Sequence, residues 1–256
     1  MTEQEPNPEQ ELTPSGSPVY RYDNVEPEEF RLASGDEAAI EAISDHIERH
    51  LGPVSGVFHE IISDKVHLDV HFVEPSANFP FKVLVTSGMS DLPMTTPENA
   101  EAMRYAELCI LLPSTWELPN LGPGAEHDEA TEDQYWPIWW LKYLARFPHE
   151  YRTWLGAGHT IPNGEDAEPF AADTKLGCML LMPSLSLPEE FWKLRINEEK
   201  IIHFYSLYAI YKEEMDLKMR KGVEALIDKF EKHGITDVVD LNRPNVAAKK
   251  GFLGLW

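Results

Sequence analysis

Between Val66 and Trp116 the chain carries three apolar runs that constrain its fold more than any other stretch. In the first, Val66, Leu68, Val70 and Phe72 alternate with His67, Asp69 and His71, the period of two that gives a strand one buried face. Phe81 to Val85 and Leu108 to Leu112 are instead apolar on consecutive positions, as in strands covered on both faces. Their length and flanking turns favour strand over helix, so this stretch is the expected core, and the rest of the chain is there to cover it.

The covering elements are legible around it. Ser34-Gly-Asp-Glu37 has the capping-box pattern, and Ile40, Ile43, Ile47 and Leu51 keep a helical rhythm that Gly52-Pro53 stops, ahead of a predicted strand over Val57 to Ile62. Thr96-Pro97 opens a short helix expected to turn Ala100 and Met103 inward. In Tyr135 to Phe147 only Lys142 and Arg146 are charged, which predicts a largely covered helix with Pro137 in its first turn and Pro148 as its end. The alternative reading of Trp136, Trp139, Trp140 and Tyr143 is a face that receives a partner. Leu176 to Met182 and Lys200 to Ile210 read as further strands. Glu213 to His233 reads as one helix stopped by Gly234, with close packing as the reason for Gly222 inside it.

Composition bounds the partners. Asp plus Glu number 44 against 22 Lys plus Arg, a net charge of −22 that excludes a nucleic-acid backbone, which needs clustered cations. Such acidity favours solubility and attraction of basic proteins, and charge alone does not choose between a bland acidic surface and a dedicated binding face. Cys109 and Cys178, far apart in apolar runs, read as small buried hydrophobes in a reducing compartment. The N-terminus is acidic where a signal peptide needs cations, and no apolar run approaches a membrane span, so a soluble cytoplasmic protein with no membrane partner is expected. Residues 1–20, with Pro6, Pro8, Pro14 and Pro18 among polar residues, are expected to form a disordered acidic tail. One domain is expected over residues 21–245. Residues 246–256 form a second tail, whose Phe252, Leu253, Leu255 and Trp256 are expected to dock back on the body.

Chemical motifs are sparse. There is no phosphate-binding glycine loop, no GxGxxG, no GxSxG and no HExxH. Ser87-Gly-Met-Ser90-Asp91 comes nearest to a nucleophile turn but lacks the second glycine, and no histidine is placed to activate Ser90. His67, Asp69 and His71 share one strand face and could hold a divalent metal, the alternative being a polar face that meets solvent or a loop. His159 sits in a glycine-rich turn and could bind a partner or make a structural hydrogen bond. The run Glu126 to Asp133 reads as a solvated acidic loop. No cofactor is indicated and no acid/base pair stands out.

Several motifs agree in order and spacing with one family. They are Asp69-Val70 with Glu74-Pro75, LVTSGMSDLPM (Leu84 to Met94), YAELCILLP (Tyr105 to Pro113) with Trp116, and WPI (Trp136 to Ile138). GHT (Gly158 to Thr160), FYSLYAIYKEEM (Phe204 to Met215), Asp240 and Arg243-Pro244 continue the series. From about Val54 to Asn245 the chain thus resembles the suppressor-of-fused (SUFU) domain family. The resemblance implies an α+β fold, a mixed β-sheet flanked by helices like the family's N-terminal lobe, and a module that binds proteins rather than turning over a substrate. In animals the full-length family member restrains Hedgehog transcription factors by gripping a peptide between two lobes. Stand-alone bacterial members are thought to act as immunity proteins against secreted toxins, and the acidity here suits a basic toxin domain as partner. The candidate partner-binding residues are Gly88, Ser90, Asp91, Trp116, Glu126, Asp128, Glu129 and His159. The alternatives are a general regulatory scaffold and a metal-dependent hydrolase using His67, Asp69 and His71.

Overall fold

A computed structural model of the chain describes residues 11–22, 35–59, 66–118 and 129–248. The described residues form one eight-stranded mixed sheet with helices on both faces, an α+β fold. In chain order the elements are α1 (Glu37–His50), β1 (Val54–His59), β2 (Asp69–Val73), β3 (Phe81–Ser87), β4 (Tyr105–Pro113), α2 (Glu129–Glu150), β5 (Thr160–Pro162), β6 (Leu176–Met182), β7 (Lys193–Arg195), β8 (Ile201–Tyr211), α3 (Lys212–Lys221) and α4 (Val223–His233). The sheet order is β1-β2-β3-β4-β8-β6-β5, with β7 on the N-terminal half of β8 and β6 on its C-terminal half. All pairings are antiparallel except β4 with β8, whose parallel ladder runs from Tyr105↔Ile202 to Cys109↔Ser206. Beyond it the two strands part, and Val238 bridges to Leu111 with Val239 N donating to the Leu111 carbonyl at 2.8 Å.

Strand parity sorts the core. Tyr205, Leu207, Ala209 and Tyr211 of β8, with Val70, Leu84, Leu108, Ile110 and Leu112, pack under α2 through Trp136, Trp140, Leu141 and Leu144. On the opposite face Ile202 and Phe204 join Val83, Val85, Cys109 and Leu111 beneath Ile43 and Ile47 of α1. Tyr208 and Ile210 continue that face with Cys178 and Leu180 under Leu217 of α3 and Leu226 and Phe230 of α4. Both cysteines are free and buried, and burial pushes both thiols well up. Among the described residues no helix is long and apolar enough to cross a membrane.

Several expectations give way for identifiable reasons. Helix α1 is capped by Asp36, whose carboxylate accepts from Ala39 N at 3.2 Å; Ser34 lies outside the described residues. Strand β1 starts three residues before the expected Val57, because antiparallel pairing with β2 already holds Val54. Asp69 and His71, expected on a polar face meeting solvent or a loop, are each only 2% exposed. The short helix after Pro97 is a 3₁₀ segment, Glu98–Met103, that buries Ala100 but leaves Met103 39% exposed.

The acidic loop is in part helix, since α2 begins at Glu129, which puts Pro137 in the helix interior and leaves Pro148 inside its last turn. Proline strips hydrogen bonds from the preceding turn, and Trp116 Nε1 donates to the Gln134 carbonyl there at 3.2 Å. A methyl group at Gly222 would meet nothing within 4 Å, so close packing is not its reason; its φ of +87° instead breaks the expected single helix into α3 and α4. Residues 11–22, assigned by sequence largely to a tail, have a definite place: Ser15 N donates to the Met219 carbonyl, and Tyr22 packs against Phe147 and Tyr151. The apolar end Phe252 to Trp256 lies outside the described residues.

Candidate protein-binding site

The turn after β3 encloses a single acid. Glu107, the one charged residue in the YAELCILLP run, is fully buried. Its Oε1 accepts from Gly88 N (3.0 Å), Ser90 N (2.9 Å) and Ser90 Oγ (2.7 Å), and its Oε2 accepts from Thr86 Oγ1 (2.6 Å). Gly88 takes a φ of +106°, so the chain can fold its amide back over the carboxylate. Burial raises the Glu107 pKa to about 7 against the opposing pull of these donors. Thr86 Oγ1 also lies 3.3 Å from the Leu108 carbonyl. A proton on Oε2 can therefore be given to Thr86, which turns its own hydrogen to Leu108.

This arrangement fixes a pH dependence. The folded chain holds the Glu107 proton up to about pH 7, while the unfolded chain releases it near 4.5. The contribution to stability is thus complete below the unfolded value and is lost as pH rises through the interval, by about 3 kcal/mol. Glu107→Gln keeps the protonated geometry. Urea midpoints should show the wild type losing stability relative to Glu107→Gln between pH 5 and 8. A constant difference would show that Glu107 does not titrate there. Comparing the two proteins removes the buried histidines, whose lowered values act in the opposite sense.

Ser90 is fully buried and committed to Glu107. Asp91 is half-buried; its Oδ2 accepts from Asp36 N at 3.3 Å, and burial raises its pKa. Trp116 packs edge-on to Trp136 at 5.8 Å. His159 stacks edge-on against Trp154 at 4.4 Å, and burial, with Lys218 beside it, lowers its pKa to about 4. Glu126 and Asp128 lie outside the described residues, and Glu129 opens α2. The structure therefore gathers Gly88, Ser90 and Asp91 in one turn, while Trp116 sits with α2 and His159 with β6 and α3.

The His67, Asp69 and His71 set does not converge. Asp69 Oδ1 is instead 3.0 Å from Nδ1 of His59, its cross-strand partner, and 3.4 Å from His67 Nε2. His71 Nε2 contacts Ser87 Oγ at 2.9 Å, and burial lowers its pKa. Among the described residues no three His, Cys, Asp or Glu side chains form a group that could hold a metal.

Two further features bear on binding, the first not apparent from sequence alone and the second in part the face that the sequence offered to a partner. One is the Glu214–Arg243 pair: Arg243 Nη1 and Nη2 donate to Glu214 Oε1 and Oε2 at 2.8 and 2.6 Å, and Tyr211 N and Val246 N donate to the same carboxylate. Its only trace in the sequence is a Glu and an Arg inside otherwise matching motifs. The other is the outer face of α2. There Trp139, 47% exposed, stacks on Tyr143 at 4.9 Å, and Tyr135, Lys142, Arg146 and Glu150 complete a shallow groove of about 220 Å³.

The comparisons with known proteins agree with this architecture. Residues 64–244 match the suppressor of fused protein (SUFU) family. A SUFU homologue from Neisseria gonorrhoeae has a similar structure, with a TM-score of 0.58 and 18% identity over 83% of this chain and 99% of that one. The Sufu–Fu complex gives a TM-score of 0.56 at 14% identity, over 84% of this chain and 93% of that one. Drosophila Suppressor of Fused gives 0.54 at 14% identity, over 81% of this chain but 51% of that one. No curated protein sequence matches the chain. With a family match across most of its length, the chain belongs to the suppressor of fused protein family.

Proposed function

We propose that this protein is a non-enzymatic protein-binding module that acts as an immunity protein, neutralising a basic toxin domain. The observation that carries the reading is the net charge of −22 on a fold of this family. A similarly folded protein has been solved as the Sufu–Fu complex. Acidic surface accelerates encounter with a cationic partner and can occlude a cationic active site, as an inhibitor of a nuclease must.

The test is to purify the protein with the toxin domain encoded beside its gene. The expected outcome is stoichiometric binding that abolishes toxin activity. Association should slow by about tenfold or more between low and physiological salt, as steering is screened. Failure to bind or neutralise that domain would rule the reading out, and capture of a host regulatory protein instead would favour a scaffold.

A further inference from the structure

The six residues that line the groove on the outer face of α2 have a spacing that is the same in both directions. Tyr135, Trp139, Lys142, Tyr143, Arg146 and Glu150 follow one another at intervals of four, three, one, three and four. At about 100° per residue all of them fall within about 50° of one line along the helix, centred between Lys142 and Tyr143. Their chemistry is not symmetric about that centre. Tyr135 and Trp139 place rings toward the start of the helix, whereas Arg146 and Glu150 place charges toward its end. A stripe of this kind matches itself when an identical helix lies antiparallel against it.

Two-fold symmetry about the centre sets Trp139 of one copy level with Arg146 of the other and Tyr135 level with Glu150, while Tyr143 meets its own counterpart beside the axis. Each pairing is complementary. A guanidinium engaged along its edge still offers a planar face to an indole, and Arg146 is engaged in that way, with Nη1 3.5 Å from the Lys142 carbonyl and Glu150 near enough to favour its charge. Trp139 is 47% exposed and stacks on Tyr143 at 4.9 Å with the rings nearly parallel, so a flat surface is left for a neighbour to cover. The Tyr135 phenol can donate to Glu150. Lys142 flanks the axis, but its Nζ lies 4.6 Å from the Phe58 ring centroid, which draws the two ammonium groups toward β1 and away from each other.

A net charge of −22 opposes the approach of two copies, and this stripe, with two cations to one acid, offsets that repulsion locally. At ~1.5 Å per residue the 22 residues of α2 span about 33 Å, and a helix is ~10 Å wide, so a pairing confined to it covers roughly 300 Å² per copy. A standard stable interface covers about 800 Å² per partner, which makes this one weak and reversible.

We propose that the outer face of α2 is a self-association surface, through which two copies of this chain pair as a reversible antiparallel dimer with Trp139 of each covered by Arg146 of the other.

Sedimentation of the purified full-length chain from about 1 μM to about 1 mM tests this. The average mass should rise from that of one chain toward that of two. Association should strengthen by about tenfold from low to high salt, because screening relieves the repulsion between two acidic bodies. A basic partner shows the opposite salt dependence, so the two kinds of binding are separable. Trp139→Ala should weaken the dimer by about tenfold or more. The register is read by cysteine trapping, both native thiols being buried. Trp139→Cys mixed with Arg146→Cys should give a disulfide-linked pair under mild oxidation, as should Tyr135→Cys mixed with Glu150→Cys. Trp139→Cys alone should not, since its counterpart lies seven residues along the helix, about 10.5 Å away and beyond the ~7 Å allowed between Cα atoms. Unchanged thermal midpoints show that each variant is folded. A wild type that stays monomeric at about 1 mM and high salt would overturn the proposal. So would a dimer indifferent to Trp139→Ala, or Trp139→Cys linking to itself as readily as to Arg146→Cys.

Discussion

Gly88→Ala should destabilise the fold by on the order of 3 kcal/mol or more, with unfolding at ordinary growth temperature as a realistic result. A methyl carbon at Gly88 would lie 1.8 Å from the His67 carbonyl oxygen and 2.9 Å from its carbon, both backbone atoms that no side-chain rotation can move. The φ of +106° adds strain for any other residue. Relief requires the turn to shift, which pulls the Gly88 and Ser90 amides from Glu107 and leaves a buried carboxyl group short of donors. Gly164→Ala provides the control: its φ is +69°, but nothing lies within 4 Å of the added carbon. It should lose only about 1 kcal/mol, the cost of the backbone conformation alone. Urea midpoints of the two variants measure the difference, and equal losses would show that the His67 contact is not the cause.

The second large effect belongs to Arg243. Arg243→Met should cost about 3–5 kcal/mol, because the fully buried Glu214 carboxylate loses the guanidinium that pairs both its oxygens and is left in an apolar setting. The same guanidinium donates to the Ala209 carbonyl at 3.0 Å and lies 4.9 Å from the Tyr211 ring centroid and 5.4 Å from that of Phe230, so β8, α4 and the final described segment loosen together. Removing both charges (Glu214→Met, Arg243→Met) should recover part of the loss. Recovery should stay incomplete, since the Tyr211 and Val246 amides then lack their acceptor. Thermal unfolding of the two single variants and the double variant yields the coupling directly. A double variant as stable as the wild type would mean that the hydrogen bonds from those two amides contribute nothing net.

How far the sequence carries depends on the range of the forces involved. The expected strand Leu176–Met182 matches β6 to the residue, because an apolar run between turn formers is a local signal. The start of β3 coincides with its apolar run, its end and both ends of β4 lie one to three residues beyond theirs, and β8 is shifted by one residue, since pairing rather than propensity decides where a strand stops. Strands β5 and β7, three residues each, exist because β6 and β8 offer them an edge, which no local pattern announces. At the site, Ser90 draws attention through its resemblance to a nucleophile turn, yet the acid that organises that turn lies on another strand. Glu107 is visible only as a lone charge in an apolar run, and its donors are assembled by the fold. His59 is likewise brought to Asp69 by strand register, where spacing suggests His71. Trp139 and Trp140 are adjacent in sequence, and only the helix phase fixed by packing leaves the first exposed and the second covered.

The parallel pairing of β4 with β8 has a temporal consequence. Strands β1 to β4 form a meander whose members meet soon after one another in synthesis, but the central ladder waits for Ile202 to Ser206, and the bridge at Leu111 waits for Val238. During translation the growing chain therefore presents β4 as an open apolar edge for roughly ninety residues, and at ~5–20 residues per second this interval lasts about 5 to 18 seconds. An exposed edge is a template for unwanted pairing, so the nascent protein is most vulnerable to aggregation, and most in need of a chaperone, before β8 emerges.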